Sequence, residues 1–268
     1  MKKPVALVTA RHVAAGGLDE DMPPLLEAFG GGAEAVSWDD PAVDWSRYSA
    51  ALLRSTWGYA SCLPDFLAWA ERTARVTKLL NPFPVLRWNI DKHYLADFER
   101  AGLAVVPTRF LEPGGRVDLG FEGDLVVKPV VGAGSIDTAR YGRGERAAAE
   151  SHALRLLKAG RSVMVQPYLA HIDQEGESAL IHIGGCYSHT IRKGPLLKPD
   201  AELVGGLFLK EDIRRREPSA AELDLAGRVL AAAPQGLLYA RVDLAPGPDG
   251  KPMLLEFDQA NRHADDLL

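Results

Sequence analysis

The sequence predicts an α/β protein: a small open α/β sheet followed by α+β lobes. Strands and helices alternate over roughly residues 1–88, the texture of an open sheet with helical connections. After Asn81-Pro82 the helices thin out and short strands take over. The length of 268 residues suits either one large α/β domain or two to three small lobes.

Val5 to Thr9 is an aliphatic and β-branched run, as in a buried parallel strand. The N-terminus MKKPVALVTA starts like a signal peptide, but its apolar run stops at Arg11-His12, too early for an h-region with a cleavage site. A helix is predicted over residues 18–29, with acids first and a stop at Gly30-Gly31-Gly32. Residues 33–38 read as the second strand, broken by Asp39-Asp40-Pro41, and residues 48–54 as the third. Residues 64–73 form an amphipathic helix with proline at its start. Next come a helix over 91–101, ended by Gly102, and strands over 108–111, 124–129 and 163–165, interrupted by a helix over 145–159. The last third holds strands over 178–183, 186–191, 239–244 and 253–257, with a helix over 220–233.

Composition narrows the functions. Hydrophobic residues are 47%, charged residues 25% and the formal charge is −5. This is ordinary for a globular protein and argues against nucleic acid as a partner, which requires a surplus of cations on one face. No apolar run is long enough to span a membrane. Cys62 and Cys186 stand far apart with no metal or disulfide pattern, so a reducing, cytoplasmic setting is the simplest. There is no P-loop, no dinucleotide fingerprint, no nucleophile elbow and no zinc spacing among the seven histidines.

Three local features carry chemistry. In the first, Lys128 sits inside the apolar strand Leu125-Val-Val-Lys-Pro129, and the glycine-rich Gly132-Ala-Gly134-Ser135 follows. A lysine in such a strand is costly unless it meets an anion, and bare glycine amides approach phosphate oxygens closely. A solvated edge-strand lysine before a hairpin fits equally well. In the second, Arg241 and Asp243 share one strand face, and Glu256 and Asp258 share a face of the next strand. A hairpin would bring the three acids together, which suits Mg²⁺ held jointly with phosphates; a solvated polar face is the alternative. The third is Gln166-Pro167-Tyr168-Leu169, which ends a strand as a hinge between lobes would.

The order of these features, with Ser37-Trp-Asp-Asp-Pro41, Arg54-Ser55-Thr-Trp57, Asn81-Pro82, Arg87-Trp-Asn-Ile-Asp-Lys92, Asp137-Thr138, Gly176-Glu177, Ser188-His189, Arg192-Lys193-Gly-Pro195 and Tyr239-Ala-Arg-Val-Asp243, resembles the ATP-grasp superfamily. Within it the chain looks most like the glutathione-synthetase-like group containing the cycloserine-forming cyclo-ligase. The resemblance covers nearly the whole chain. It implies a pre-ATP-grasp domain over residues 1–88, a small lobe over 89–165 and a C-terminal lobe with a metal site over 166–268, the two lobes clasping the nucleotide. The implied activity is ATP-dependent ligation of a small amino-acid-like carboxylate to an amine through an acylphosphate, with ATP and Mg²⁺ as cofactors. An ATP-binding module without turnover and a phosphotransferase are the alternatives. Dimers are common among relatives, so a homodimer is compatible with the resemblance.

Residue by residue, the resemblance implies that Lys92 and Lys128 hold phosphates, with Gly132, Gly134 and Ser135 above them. Gln166, Pro167, Tyr168 and Leu169 would line the adenine pocket, and Asp243, Glu256 and Asp258 would hold Mg²⁺, which would neutralise them. Arg241 would offset charge on the transferring phosphoryl group, with Arg192 and Lys193 as further catalytic candidates, each also readable as a solvated basic strand end. Arg54, Ser55 and Trp57 end the third strand, where open sheets present ligand sites, so Arg54 is expected to face the substrate carboxylate. Trp57, Trp69 and Trp88 read as core, His189 as packed or hydrogen-bonded, and residues 196–216 as a lid. Two departures from relatives bear on substrate choice. Gly58 replaces an acid, and beyond Asp258 the Glu-Pro run is absent, with Asn261 where an acid is common.

Overall fold

The computed structural model describes residues 2–16, 19, 22–195, 197, 203–204, 208–209 and 212–259. The chain opens with β1 (Val5–Thr9), α1 (Arg11–Gly16), α2 (Met22–Ala28), β2 (Ala33–Ser37), β3 (Ala50–Ser55), α3 (Leu63–Val76) and β4 (Lys78–Leu80). These strands form a parallel sheet in the order β2-β1-β3-β4. The helix expected over 18–29 is present as α2, preceded by the short α1, with residues 17, 18, 20 and 21 outside the described set. Gly30 and Gly31 adopt φ of 54° and 82°, a region open to glycine and costly for other residues. Trp38, Trp57, Phe66 and Trp69 pack into the core over this sheet, as the apolar spacing of α3 requires.

Next come α4 (Phe83–Ile90), α5 (Tyr94–Arg100), β5 (Arg109–Leu111), β6 (Leu125–Pro129), β7 (Ala139–Tyr141), α6 (Arg146–Lys158) and β8 (Val163–Pro167). A second sheet, antiparallel, runs β5-β8-β6-β7, and α6 covers one face through Ala149, Ala153, Leu156 and Leu157. β4, α4 and β7 escape sequence reading because β4 and β7 are three residues each and α4 has no clean apolar stripe.

The remainder comprises α7 (Ile172–Glu175), β9 (Glu177–Ile183), β10 (Cys186–Lys193), β11 (Leu203–Val204), β12 (Phe208–Leu209), β13 (Ile213–Arg215), α8 (Ala220–Ala232), β14 (Tyr239–Pro246) and β15 (Pro252–Asp258). A third sheet has the order β13-β10-β9-β14-β15, all neighbours antiparallel, and β11 pairs with β12 separately. α8 starts with a capping box between Ser219 and Glu222 and packs Leu225, Ala226 and Val229 with Phe98, Val242 and Phe257. Most of the expected lid lies outside the described residues; within them, β13 is the edge strand of this sheet.

Buried polar groups tie the parts together. Asn81, just past β4, donates from Nδ2 to the Tyr239 carbonyl at 2.9 Å and accepts at Oδ1 from Leu238 N at 2.6 Å. Asn89 donates to the Phe257 carbonyl at 2.7 Å, and the Tyr94 hydroxyl accepts from Phe257 N at 3.0 Å. These bonds hold the first sheet and α4–α5 against the strands that carry the acids. Satisfied buried polar contacts of this kind fix one arrangement, because any other leaves groups unpaired.

Candidate active site

Between the second and third sheets lies a cleft. β6 delivers Lys128 to it: the strand is buried at Leu125, Val126, Val127 and Pro129 and only half-buried at Lys128. The loop after β6 carries Gly132, Gly134 and Ser135 along the rim. Gly134 has φ of 64°, and Ser135 and Asp137 are non-glycine residues at 60° and 55°. Such residues persist only where the surroundings hold them. Asp137 is held by Arg155 at 3.0 Å and Arg161 at 2.5 Å, and burial raises its pKa less than those two guanidinium groups lower it. Val131 and Ala133 rest against the core of the first sheet.

β14 and β15 carry the acids. In their register Asp243 faces Glu256 and Arg241 faces Asp258. All four line the cleft with Lys92, Lys128 and Lys193, so the expected sharing of a face is borne out by the pairing. Glu177, part of the Gly176-Glu177 stretch but given no role from sequence, joins them because β9 pairs with both β10 and β14. Three of the cations meet an acid directly. Lys92 Nζ lies 3.3 Å from Glu256 Oε1 and donates to the Gly132 carbonyl at 2.9 Å. Lys193 Nζ donates to Asp243 Oδ2 at 2.7 Å and lies 3.5 Å from Glu177 Oε2. Arg241 donates to Asp243 from Nε at 2.8 Å and Nη2 at 3.0 Å, and Nη2 lies 3.6 Å from Asp258 Oδ2.

The acids are therefore matched by protein cations. Burial raises the pKa of Asp243, but Arg241 and Lys193 outweigh it and hold the group at about 2. Burial also raises Glu256, while Lys92 and Lys128 bring it to about 2. Lys128 is pushed below the usual lysine range, first by burial and then by Lys92 and Lys193, with Glu256 opposing. Hard carboxylate oxygens of this kind fit Mg²⁺ by their chemistry. Among the described residues, however, no three His, Cys, Asp or Glu side chains are gathered into a set that could hold a metal ion.

The cleft is also lined by apolar residues, Val106, Val126, Ile136, Ile172 and Leu255. Sequence reading missed these because they come from five separate segments. Gln166, Pro167, Tyr168 and Leu169 line it as well. Gln166 donates from Nε2 to Thr108 Oγ1 at 2.8 Å, and Tyr168 N donates to the Asp124 carbonyl at 2.9 Å. Arg140 lies 3.6 Å over the Tyr168 ring, a cation–π stack.

Four candidates fall outside the cleft. Arg192 turns to the other face of β10 and donates to the carbonyls of Glu175 at 2.5 Å and Gln174 at 3.0 Å. This corrects its catalytic assignment: alternation along a strand sends neighbours to opposite sides. Arg54, Ser55 and Trp57 are 3%, 4% and 4% exposed, and none lines the cleft. Trp57 belongs to the core of the first sheet, as does Trp69, and Trp88 packs against the core of the third. Ser188 Oγ and His189 Nδ1 are 3.0 Å apart. Asn261 lies outside the described residues.

Comparison with known proteins follows the same lines. Residues 5–81 match the family described as the N-terminal domain of D-cycloserine synthetase DcsG. The chain is 38% identical over 257 residues to the cycloserine biosynthesis protein DcsG of Streptomyces lavendulae, covering 90% of this chain and 86% of that one. It resembles the crystal structure of D-cycloserine synthetase DcsG with a TM-score of 0.86 and 36% identity, over 98% of this chain and 93% of that one. The D-alanine–D-alanine ligase of Bacillus anthracis complexed with ATP shares the fold, at a TM-score of 0.65 and 16% identity over 96% and 86% of the two chains.

Proposed function

From the premise that the chain belongs to the DcsG family of ATP-grasp ligases, we propose that it activates a small amino-acid-like carboxylate and joins it to a nitrogen nucleophile in the cleft between the second and third sheets. It is an ATP-dependent enzyme that forms a C–N bond. The observation that supports the site is the lining of one cleft by Lys92, Lys128, Lys193 and Arg241 together with Glu177, Asp243, Glu256 and Asp258. Phosphoryl transfer requires positioning and charge neutralisation above all.

In this reading the substrate carboxylate oxygen attacks the γ-phosphorus of ATP and ADP leaves. The nitrogen then adds to the acylphosphate carbon, phosphate leaves with the former carboxylate oxygen, and the nitrogen loses a proton. Lys92 and Lys128 hold phosphate oxygens beneath the amides of Gly132 to Ser135, and Lys193 and Arg241 offset charge on the transferring group. Asp243, Glu256 and Asp258 would hold Mg²⁺, which when bound supplies further neutralisation of the phosphates. Val106, Ile172 and Leu255 enclose the adenine beside Gln166 to Leu169.

The substrate is proposed to be an amino acid whose own side-chain nitrogen closes a ring, in keeping with the name of the relative from Streptomyces lavendulae. We assign the reaction to the cytoplasm, which two unpaired cysteines, Cys62 and Cys186, support. The charge of −5 is a poor match for nucleic acid. Among the described residues no helix is long and apolar enough to cross a membrane.

Incubation with ATP, Mg²⁺ and either O-ureido-serine or pooled amino acids tests the reading by mass spectrometry. ADP, phosphate and a dehydrated product support ligation. A phosphorylated substrate would make the protein a phosphotransferase, and ATP binding without ADP would make it a binding module.

A further inference from the structure

The cleft is balanced in charge before any ligand arrives: four cations face four carboxylates. Asp243 has both oxygens taken. Oδ1 accepts from Arg241 Nε at 2.8 Å, and Oδ2 accepts from Arg241 Nη2 at 3.0 Å and Lys193 Nζ at 2.7 Å. Lys193 also reaches Glu177 at 3.5 Å, and Lys92 stands 3.3 Å from Glu256. The guanidinium fork and the ammonium take up three of the about four lone-pair sites of this carboxylate, and among the described residues no three acids are gathered to hold a metal.

We propose that the Lys193 ammonium, lodged between Asp243 and Glu177, blocks the Asp243 side of the divalent-cation site, so that the site forms only when the nucleotide draws Lys193 away. The inference rests on the reading of this cleft as the nucleotide site. A polyanionic triphosphate competes with the two carboxylates for the ammonium. Once Lys193 swings to it, Asp243 Oδ2 and Glu177 lose a partner inside a buried site, which is costly until another cation arrives. Lys193 suits this exchange better than an arginine would, since its ammonium is a point charge on a flexible stem. Its place is set by the backbone: a Cβ on Gly176, whose φ is 74°, would stand 2.3 Å from the Lys193 carbonyl oxygen, so that turn requires glycine. Nucleotide and metal are then coupled reciprocally, each raising affinity for the other.

Electron paramagnetic resonance with Mn²⁺ as the probe tests the proposal on the full chain. Nucleotide-free wild type is expected to bind Mn²⁺ weakly, and Lys193→Met to bind it roughly tenfold or more tightly, because the carboxylates are released. Arg192→Met removes a cation next in sequence but outside the cleft, and is expected to bind Mn²⁺ as wild type does. Should Lys193→Met not fold by circular dichroism, Lys193→Gln takes its place. Equal Mn²⁺ affinity in nucleotide-free wild type and the Lys193 variant overturns the proposal, as does an equal gain in Arg192→Met. A distinct outcome separates the underlying reading: if wild type with a non-hydrolysable ATP analogue shows only the spectrum of the free Mn²⁺–nucleotide complex, the nucleotide site itself is misassigned.

Discussion

Lys92 and Glu256 stand 3.3 Å apart although 164 residues separate them in sequence (256 − 92). Lys92 precedes α5 and Glu256 lies in the last strand, and the same ammonium bonds the carbonyl of Gly132. One side chain thus joins the glycine loop, the third sheet and the segment after α4. Replacing Lys92 with Met leaves Glu256 without this partner. The variant is expected to lose about 1–3 kcal/mol of stability and to bind ATP roughly tenfold or more weakly, by urea unfolding and calorimetry respectively.

Lys193 and Arg192 separate sharply although they are neighbours. Arg192→Ala removes two bonds to the carbonyls of Gln174 and Glu175 and is expected to cost about 1 kcal/mol of stability with ATP affinity unchanged. A large fall in ATP affinity would return Arg192 to the site.

Gly176→Ala forces a Cβ to within 2.3 Å of the Lys193 carbonyl at a backbone φ of 74°. A loss of about 1–3 kcal/mol is expected, together with reduced turnover because β10 shifts under Lys193. Thermal melting and an ADP-release assay measure the two effects.

Stability falls with acid in two stages. Burial holds His152 and His182 below the usual histidine range, so the folded state keeps them neutral longer than the unfolded chain does. Their contribution is present above the unfolded value of about 6.5 and drains as pH falls below it. Asp243 and Glu256, held at about 2, contribute stability that is complete above the unfolded carboxylate range of about 4 and is lost as pH falls toward 2. Urea midpoints at successive pH values should show both steps. A midpoint that stays flat from neutral pH down to 3 contradicts the buried ion pairs.

Much of this site was legible in the sequence, for identifiable reasons. Period-two alternation puts Arg241 with Asp243 and Glu256 with Asp258, whatever the rest of the fold does, and the strand Leu125–Pro129 announces Lys128 by its apolar neighbours. Glu177 stood in a resembling stretch, but its place in the cleft was not legible, because only the antiparallel register of β9 with β10 and β14 brings it there. Arg192 was misread for a related reason. The pattern separates the faces of Arg192 and Lys193 but does not say which face is the cleft. The burial of the end of β3, where Arg54 is 3% exposed and stands apart from the lining of this cleft, was not legible, because an exposed strand end and a buried one look alike in sequence.

The central claim is that a carboxylate is activated as an acylphosphate in this cleft, and oxygen transfer tests it most directly. The enzyme is given substrate labelled with ¹⁸O in its carboxylate, ATP and Mg²⁺, and the released phosphate is analysed by mass spectrometry. The account predicts one ¹⁸O in each phosphate formed, together with loss of turnover in Lys128→Ala and Asp243→Asn. Phosphate free of the label, released at the same rate as product, would contradict it.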